Sequence, residues 1–70
     1  MKWTYTRIKS ANCSKWTSGN NWVTKFDGSN LCVLGINGKR AGNFYFSDPK
    51  EARDEVEIIL SRINNQGNQS

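Results

Sequence analysis

The sequence predicts an α+β domain in which an antiparallel four-stranded sheet, a β-meander, is followed by one C-terminal helix packed on one sheet face. Two observations carry this prediction. Before Asp48, apolar and polar residues alternate between glycine-containing turns, as is typical of strands. After Asp48 the apolar residues recur at steps of three and four, as is typical of an amphipathic helix. A chain of 70 residues is one domain, which we place at residues 1–64, with 65–70 predicted to be a disordered tail.

The helix has the clearest start signal in the chain. We expect Asp48 to cap it, Pro49 to occupy the first helical position and Glu51 to reach back as in a capping box. Asn64-Asn65 and Gly67 predict its end. The stripe expected to face the sheet is Ala52, Val56, Ile59, Leu60 and Ile63.

The strands are delimited by turn signals. Asn37-Gly38 predicts a two-residue hairpin, because both residues tolerate a positive φ. Asp27-Gly28 predicts a second hairpin, and a first strand is expected from about Trp3 to Lys9. We expect the polar segment from Ser10 to Asn21 to be a loop.

The hairpin register predicts which sheet face the helix covers. It pairs Ile36 with Lys39 and Leu34 with Ala41. The face expected under the helix carries Trp22, Leu31, Val33, Phe44 and Phe46. The face expected to be open carries Val23, Lys25, Cys32, Leu34, Ile36, Lys39 and Tyr45. The alternative is that the predicted loop folds over this second face through Trp16 and completes a two-sided core.

Charge is divided by position. Residues 1–47 hold seven Lys or Arg and one acid, a net charge of about +6, whereas residues 48–70 hold three basic and five acidic residues, about −2. Every aromatic residue lies in the first segment. This division favours a binding surface on the sheet, although a net charge of +4 is by itself also typical of a solubilising surface.

The composition argues against an enzyme. The chain has no histidine, the usual general base and the commonest metal ligand, so we expect no catalytic site, no metal and no cofactor. Two cysteines are too few for a structural zinc site. No segment is apolar enough to cross a membrane or to act as a signal peptide, which favours a cytoplasmic protein. Cys13 and Cys32 are then expected to be free thiols, with a disulfide as the alternative in an oxidising compartment.

Nucleic-acid binding fits the basic, aromatic sheet best. Arginine can make bidentate contacts with guanine edges, whereas lysine suits phosphate. Lys15 is one of the lysines expected to contact phosphate. An apolar face with a basic rim equally describes a protein interface. The candidate residues for nucleic-acid or partner binding are Arg7, Lys9, Lys25, Leu34, Ile36, Lys39, Arg40 and Tyr45.

Two segments resemble a known family. Trp22-Val23-Thr24-Lys25-Phe26 and, further on, Phe46-Ser47-Asp48-Pro49-Lys50-Glu51-Ala52 are similar to the pattern of the plant ethylene-response-factor type DNA-binding domain, and the arm-type domains of phage integrases look similar. The resemblance covers about residues 22–63. It implies three antiparallel strands and a helix, with the sheet read into the major groove and Lys25, Lys39 and Arg40 as DNA contacts.

The competing function is a protein-interaction module. Leu34 and Ile36 on an open face would suit a host protein or a homodimer. Small, basic domains without a cleft are also typical of phage or mobile-element accessory proteins, many of which act as inhibitors of a host protein.

Overall fold

The computed structural model describes residues 1–67, which form five antiparallel strands and a C-terminal helix. The strands are β1 (Thr4–Ile8), β2 (Cys13–Ser18), β3 (Asn21–Phe26), β4 (Leu31–Ile36) and β5 (Lys39–Tyr45), a short 3-10 turn spans Lys9–Ala11, and the helix α1 spans Pro49–Gly67. The strands are hydrogen-bonded in chain order, so the sheet is a meander with β3 at its centre.

The predicted fold class is confirmed, but the strand number is wrong. The sheet has five strands because Cys13–Ser18, within the predicted loop, pairs with β1 on one side and β3 on the other. The sequence of β2 reads Cys-Ser-Lys-Trp-Thr-Ser and has little apolar contrast. β2 forms as a strand because β1 and β3 pair with it on either side. Asn12, with a left-handed φ of 51°, closes the turn before it.

The hairpins form at the predicted turns. Asn37 and Gly38 adopt φ values of 55° and 80°, which is the geometry of a type I′ turn. The pairing of Ile36 with Lys39 is confirmed, but a bulge at Leu34/Gly35 shifts the register, so that Leu34 lies opposite Gly42 rather than Ala41.

The helix starts as expected. The Lys50 amide donates to Asp48 Oδ1 at 2.9 Å, so Asp48 caps the first turn. The Glu51 carboxylate accepts from the Ser47 hydroxyl at 3.0 Å instead of returning to the Asp48 amide. α1 includes residues 65–67 of the predicted tail, and residues 68–70 lie outside the described part of the chain.

The core lies between α1 and the face of β3 and β4 that was expected to be open. Val23, Cys32 and Leu34 are completely buried, together with Ala52 and Val56 of the helix. Trp3, Trp16, Phe46, Ile59 and Leu60 pack around them. The predicted position of Phe46 beside the helix is therefore confirmed.

The predicted assignment of the two sheet faces is wrong for β3 and β4, whereas beyond the bulge Phe44 lies on the helix side opposite Cys32 and Tyr45 lies on the other side, as predicted. Leu34 pairs with Val23 across β3 and β4, and both side chains point to the helix. Trp22, Leu31 and Val33 alternate with these residues and lie on the opposite face. The helix packs on aliphatic side chains and the small Cys32, which allow Ala52 to come close.

Candidate functional site

The face of the sheet turned away from α1, here called the open face, is the main exposed feature of the described residues. The register groups its side chains in rows that cross the strands. One outer row is Thr4, Thr17, Trp22, Gly35 and Arg40, and the middle row is Thr6, Lys15, Thr24, Val33 and Asn43. The other outer row, the apolar row, is Ile8, Cys13, Phe26, Leu31 and Tyr45. No described segment covers these rows. Trp16, which the alternative prediction placed over the face of Val23 and Leu34, does pack on that face, as a residue of β2 rather than of a loop.

Trp22 forms a flat platform on β3, the central strand, in one outer row of the open face. Its cross-strand partner is Gly35, and a Cβ atom at Gly35 would lie only 2.0–2.3 Å from three ring carbons of the indole. The ring therefore lies directly on the Gly35 backbone, in space that only glycine leaves free. The indole is half-buried, so part of it is accessible to solvent.

Positive charge surrounds this platform. The Lys15 ammonium lies 5.8 Å from the centroid of the Trp22 ring, a cation–π distance. Arg40, in the same row as Trp22, donates from its guanidinium to the side chain of Asn43. Among residues 1–67, the three rows contain no carboxylate, because the helix acids are all on the other side of the sheet and Asp27 lies in a turn.

The apolar row gives one end of the open face a different character. Tyr45 is 77% exposed and Phe26 36%, whereas Cys13 between Ile8 and Phe26 is buried. The open face thus combines an aromatic, basic region with an aromatic, uncharged edge.

The structure divides the candidate residues of the sequence analysis between three locations. Arg40 and Tyr45 lie on the open face, Lys9 is exposed in the 3-10 turn, and Lys39 is exposed at the start of β5, opposite Ile36 on the helix side. The prediction that Leu34 and Ile36 are exposed is wrong, because both are buried under α1. The cause is that α1 packs on the sheet face that carries these two side chains.

Arg7 and Lys25 also lie on the helix side of the sheet. Arg7 and Lys25 both flank Ser14 in the register, and Lys25 is opposite the buried Cys32. The Lys25 side chain is half-buried. Burial raises the pKa of the Cys32 thiol, and the positive charge of Lys25 opposes that rise.

Arg7 is engaged in an ion pair. Its guanidinium donates two hydrogen bonds to the Asp27 carboxylate, one of them from Nη1 to Oδ1 at 2.7 Å. The hydrogen bonds lower the pKa of Asp27 and raise that of Arg7. Arg7 also donates to the Ser14 hydroxyl at 3.1 Å, so a ligand would compete with existing partners.

Sequence reasoning missed Lys15, Trp22 and Phe26 as members of one surface. The alternation of Lys15 and Thr17 with Ser14 and Trp16 was the available signal for β2. Once β2 is a strand, Lys15 falls opposite Thr24 and beside Trp22.

The other chemistry of the described residues is limited. Cys13 and Cys32 are free and buried, and they lie on opposite faces of the sheet, which prevents a disulfide between them. Residues 1–67 contain no group of three or more side chains able to hold a metal ion, and no helix among them is long and apolar enough to cross a membrane.

Comparison with known proteins gives no relative. No family model, no curated protein and no solved structure matches this chain.

Proposed function

We propose that this protein binds nucleic acid, without catalysing a reaction, through the open face of its sheet. The observation that carries the proposal is the combination of Lys15, Arg40 and the Trp22 platform on a face whose described residues include no carboxylate. A phosphate backbone is attracted to such a face, and its bases find an aromatic surface there.

Each residue has a distinct role in this proposal. Lys15 neutralises a phosphate, and Arg40 contacts a phosphate or a guanine edge. Lys39 is opposite Ile36 on the helix side, so it attracts phosphate only from the margin of the face. Trp22 and Tyr45 supply aromatic surface. The proposed setting is the cytoplasm, where buried thiols such as Cys13 and Cys32 remain reduced.

The resemblance to the ethylene-response-factor and integrase arm-type domains supports the same class of ligand. Of the contacts it implies, Lys39 and Arg40 are exposed in the β4–β5 hairpin. Lys25 is left out of the proposal because it lies on the helix side, next to Cys32.

A protein partner is the second candidate, and the apolar row favours it. Tyr45, Phe26 and Leu31 together resemble the aromatic centre of a protein interface. The occupant would be a second copy of the chain or a host protein that a phage or mobile-element inhibitor blocks. Tyr45→Lys should then abolish self-association or capture.

Fluorescence anisotropy with labelled single-stranded and duplex probes tests the nucleic-acid proposal. We expect affinity for at least one probe to fall steeply with salt, because bound phosphates release counterions. The variant Lys15→Glu/Arg40→Glu should bind much more weakly. In its log–log salt plot, the slope should be shallower by about 1.4 for a single strand, since two contacts are lost.

The matched control reverses the same number of charges on the helix. Lys50→Glu/Arg62→Glu has the same net charge as the test variant, but both positions are exposed on α1. It should retain most of the affinity. If both variants weaken binding equally, or if no probe binds at low salt, the proposal is wrong.

A further inference from the structure

The breadth of the open face limits which nucleic acid can use it. Five strands about 4.8 Å apart span about 19 Å, whereas the major groove of B-DNA is about 12 Å wide. The face therefore cannot enter the groove of a duplex. A two-stranded ribbon can, but Trp22 lies on β3, the central strand, two strands away from either edge.

The spacing of the aromatic rings is a second argument against a duplex ligand. Trp22 and Phe26 project from the same face of β3 and are four residues apart, or about 13 Å along the strand. Neighbouring bases in a duplex strand are only about 3.4 Å apart and present their faces to each other. Only unpaired, separated bases can lie against both rings.

The Trp22 platform is suited to such a base. Gly35 supports the indole from below, which fixes the ring plane and leaves little conformational freedom to lose on binding. The Lys15 ammonium lies over the ring, 5.8 Å from its centroid, so a stacking base would displace it from the ring towards the phosphate attached to that base.

We propose that the ligand is a single strand, with one base stacked on Trp22, a second near Phe26 and the backbone passing Lys15 and Arg40. This inference rests on the proposed function. The named contacts are to phosphates, to base faces and, for Arg40, to a guanine edge, all of which DNA and RNA share, so the surface should accept both sugars with similar affinity.

The test compares oligothymidine and oligouridine of about 12 nucleotides with a duplex of equal length. Both single strands should bind with affinities within about threefold of each other and at least about tenfold more tightly than the duplex. Tryptophan fluorescence should be quenched on binding.

Variants at Trp22 separate stacking from charge. Trp22→Ala should weaken single-strand binding by about 5- to 150-fold. Trp22→Phe should keep most of the affinity, because it retains a stacking ring, yet lose most of the quenching, since Trp3 and Trp16 lie on the helix side. The control is Tyr5→Ala, which removes an aromatic residue that is 56% exposed on the helix side, and should leave affinity unchanged. Circular dichroism checks that each variant folds.

The two proposals fail differently. Equal binding of duplex and single strands, or full affinity in a folded Trp22→Ala, overturns the single-strand inference. Salt-sensitive binding that Lys15→Glu/Arg40→Glu abolishes would still support the proposed function. A preference of more than about tenfold for one sugar would overturn the claim that only shared groups are contacted. Absence of binding to every probe overturns both proposals.

Discussion

The two faces of the sheet come from the same five strands and carry different chemistry. The helix-covered face has Val23, Cys32 and Leu34 at its centre, all completely buried. The open face has Trp22, the neighbour of Val23 along β3, and Lys15 on β2, opposite Thr24. The centre of the helix-covered face therefore carries small and aliphatic side chains, whereas on the open face a lysine lies over a partly accessible aromatic ring.

The three tryptophans show the contrast in one residue type. Trp3 donates from Nε1 to the Glu57 carboxylate at 3.2 Å, and Trp16 lies 4.8 Å below the Arg53 guanidinium, so helix side chains satisfy both. Trp22 lies on the open face and rests on Gly35. An indole supported from one side and left partly accessible on the other is suited to an external ring.

The largest expected effect is the difference in stability between two alanine variants at neighbouring positions of β4 whose side chains point to opposite faces. Leu34→Ala removes a completely buried side chain and should lower the free energy of unfolding by about 2–5 kcal/mol. Val33→Ala, on the open face, should cost about 1 kcal/mol or less, mainly through strand propensity. Urea unfolding followed by circular dichroism measures both.

A larger loss of stability in Val33→Ala than in Leu34→Ala would contradict the contrast between the two faces of the sheet. A core of this size supplies about 3–5 kcal/mol, so a Leu34→Ala chain unfolded in buffer also agrees with the expected loss. If Val33→Ala destabilised the fold as much as Leu34→Ala, the open face would be covered and would not be a free surface.

Local signals in the sequence predicted the helix and both hairpins well. The Asp48-Pro49 start and the Asn37-Gly38 turn depend on side chains that act on their own backbone, so no distant contact is needed to read them. Strand β2 was missed because its pairing depends on residues on either side of it, not on its own pattern.

The assignment of faces could not be predicted, because both faces of β3 and β4 carry apolar residues. Trp22 and Val33 compete with Val23 and Leu34 for the helix, and period alone does not rank them. The bulge at Leu34/Gly35 also changes the cross-strand partners beyond the hairpin. The candidate residues Arg40 and Lys39, which were predicted from charge, are exposed. Leu34 and Ile36, which were predicted as the apolar part of the binding surface, belong to the core.

The second prediction sharpens the role of Gly35 beneath Trp22. Gly35→Ala places a Cβ atom within 2.0–2.3 Å of the indole carbons, so the ring must move. We expect a loss of about 1–3 kcal/mol in the free energy of unfolding, together with a change in tryptophan fluorescence.

A double-mutant cycle identifies the ring as the cause of that loss. In a Trp22→Ala background, Gly35→Ala should cost no more than about 0.5 kcal/mol, because the Cβ atom no longer meets the indole. The same loss with and without the ring would mean that Gly35 is required by the backbone alone.

A smaller effect is expected where the covering helix begins. Asp48→Ala removes the side-chain acceptor for the Lys50 amide and should lower stability by about 1 kcal/mol. The control Asp54→Ala loses only an exposed i,i+4 pair with Lys50 and should stay within about 0.5 kcal/mol of the wild type. Thermal unfolding of both variants measures the difference, and equal losses would contradict a capping role.

The smallest effect concerns the Arg7–Asp27 pair, which joins β1 to the β3–β4 turn on the helix side of the sheet. The contribution of this pair to stability depends on pH. Arg7 lowers the pKa of Asp27 below its usual value of about 3.9, so the folded state favours the charged carboxylate. The resulting stabilisation is complete above about pH 5 and is lost as the pH falls through the lowered pKa. Asp27→Asn and Arg7→Gln should each be slightly less stable than the wild type at pH 7 and should both lose less stability between about pH 5 and pH 2. The three proteins should converge at the acid end in urea titrations. A wild-type decline no steeper than that of the variants would mean that the pair is too exposed to stabilise this end of the sheet.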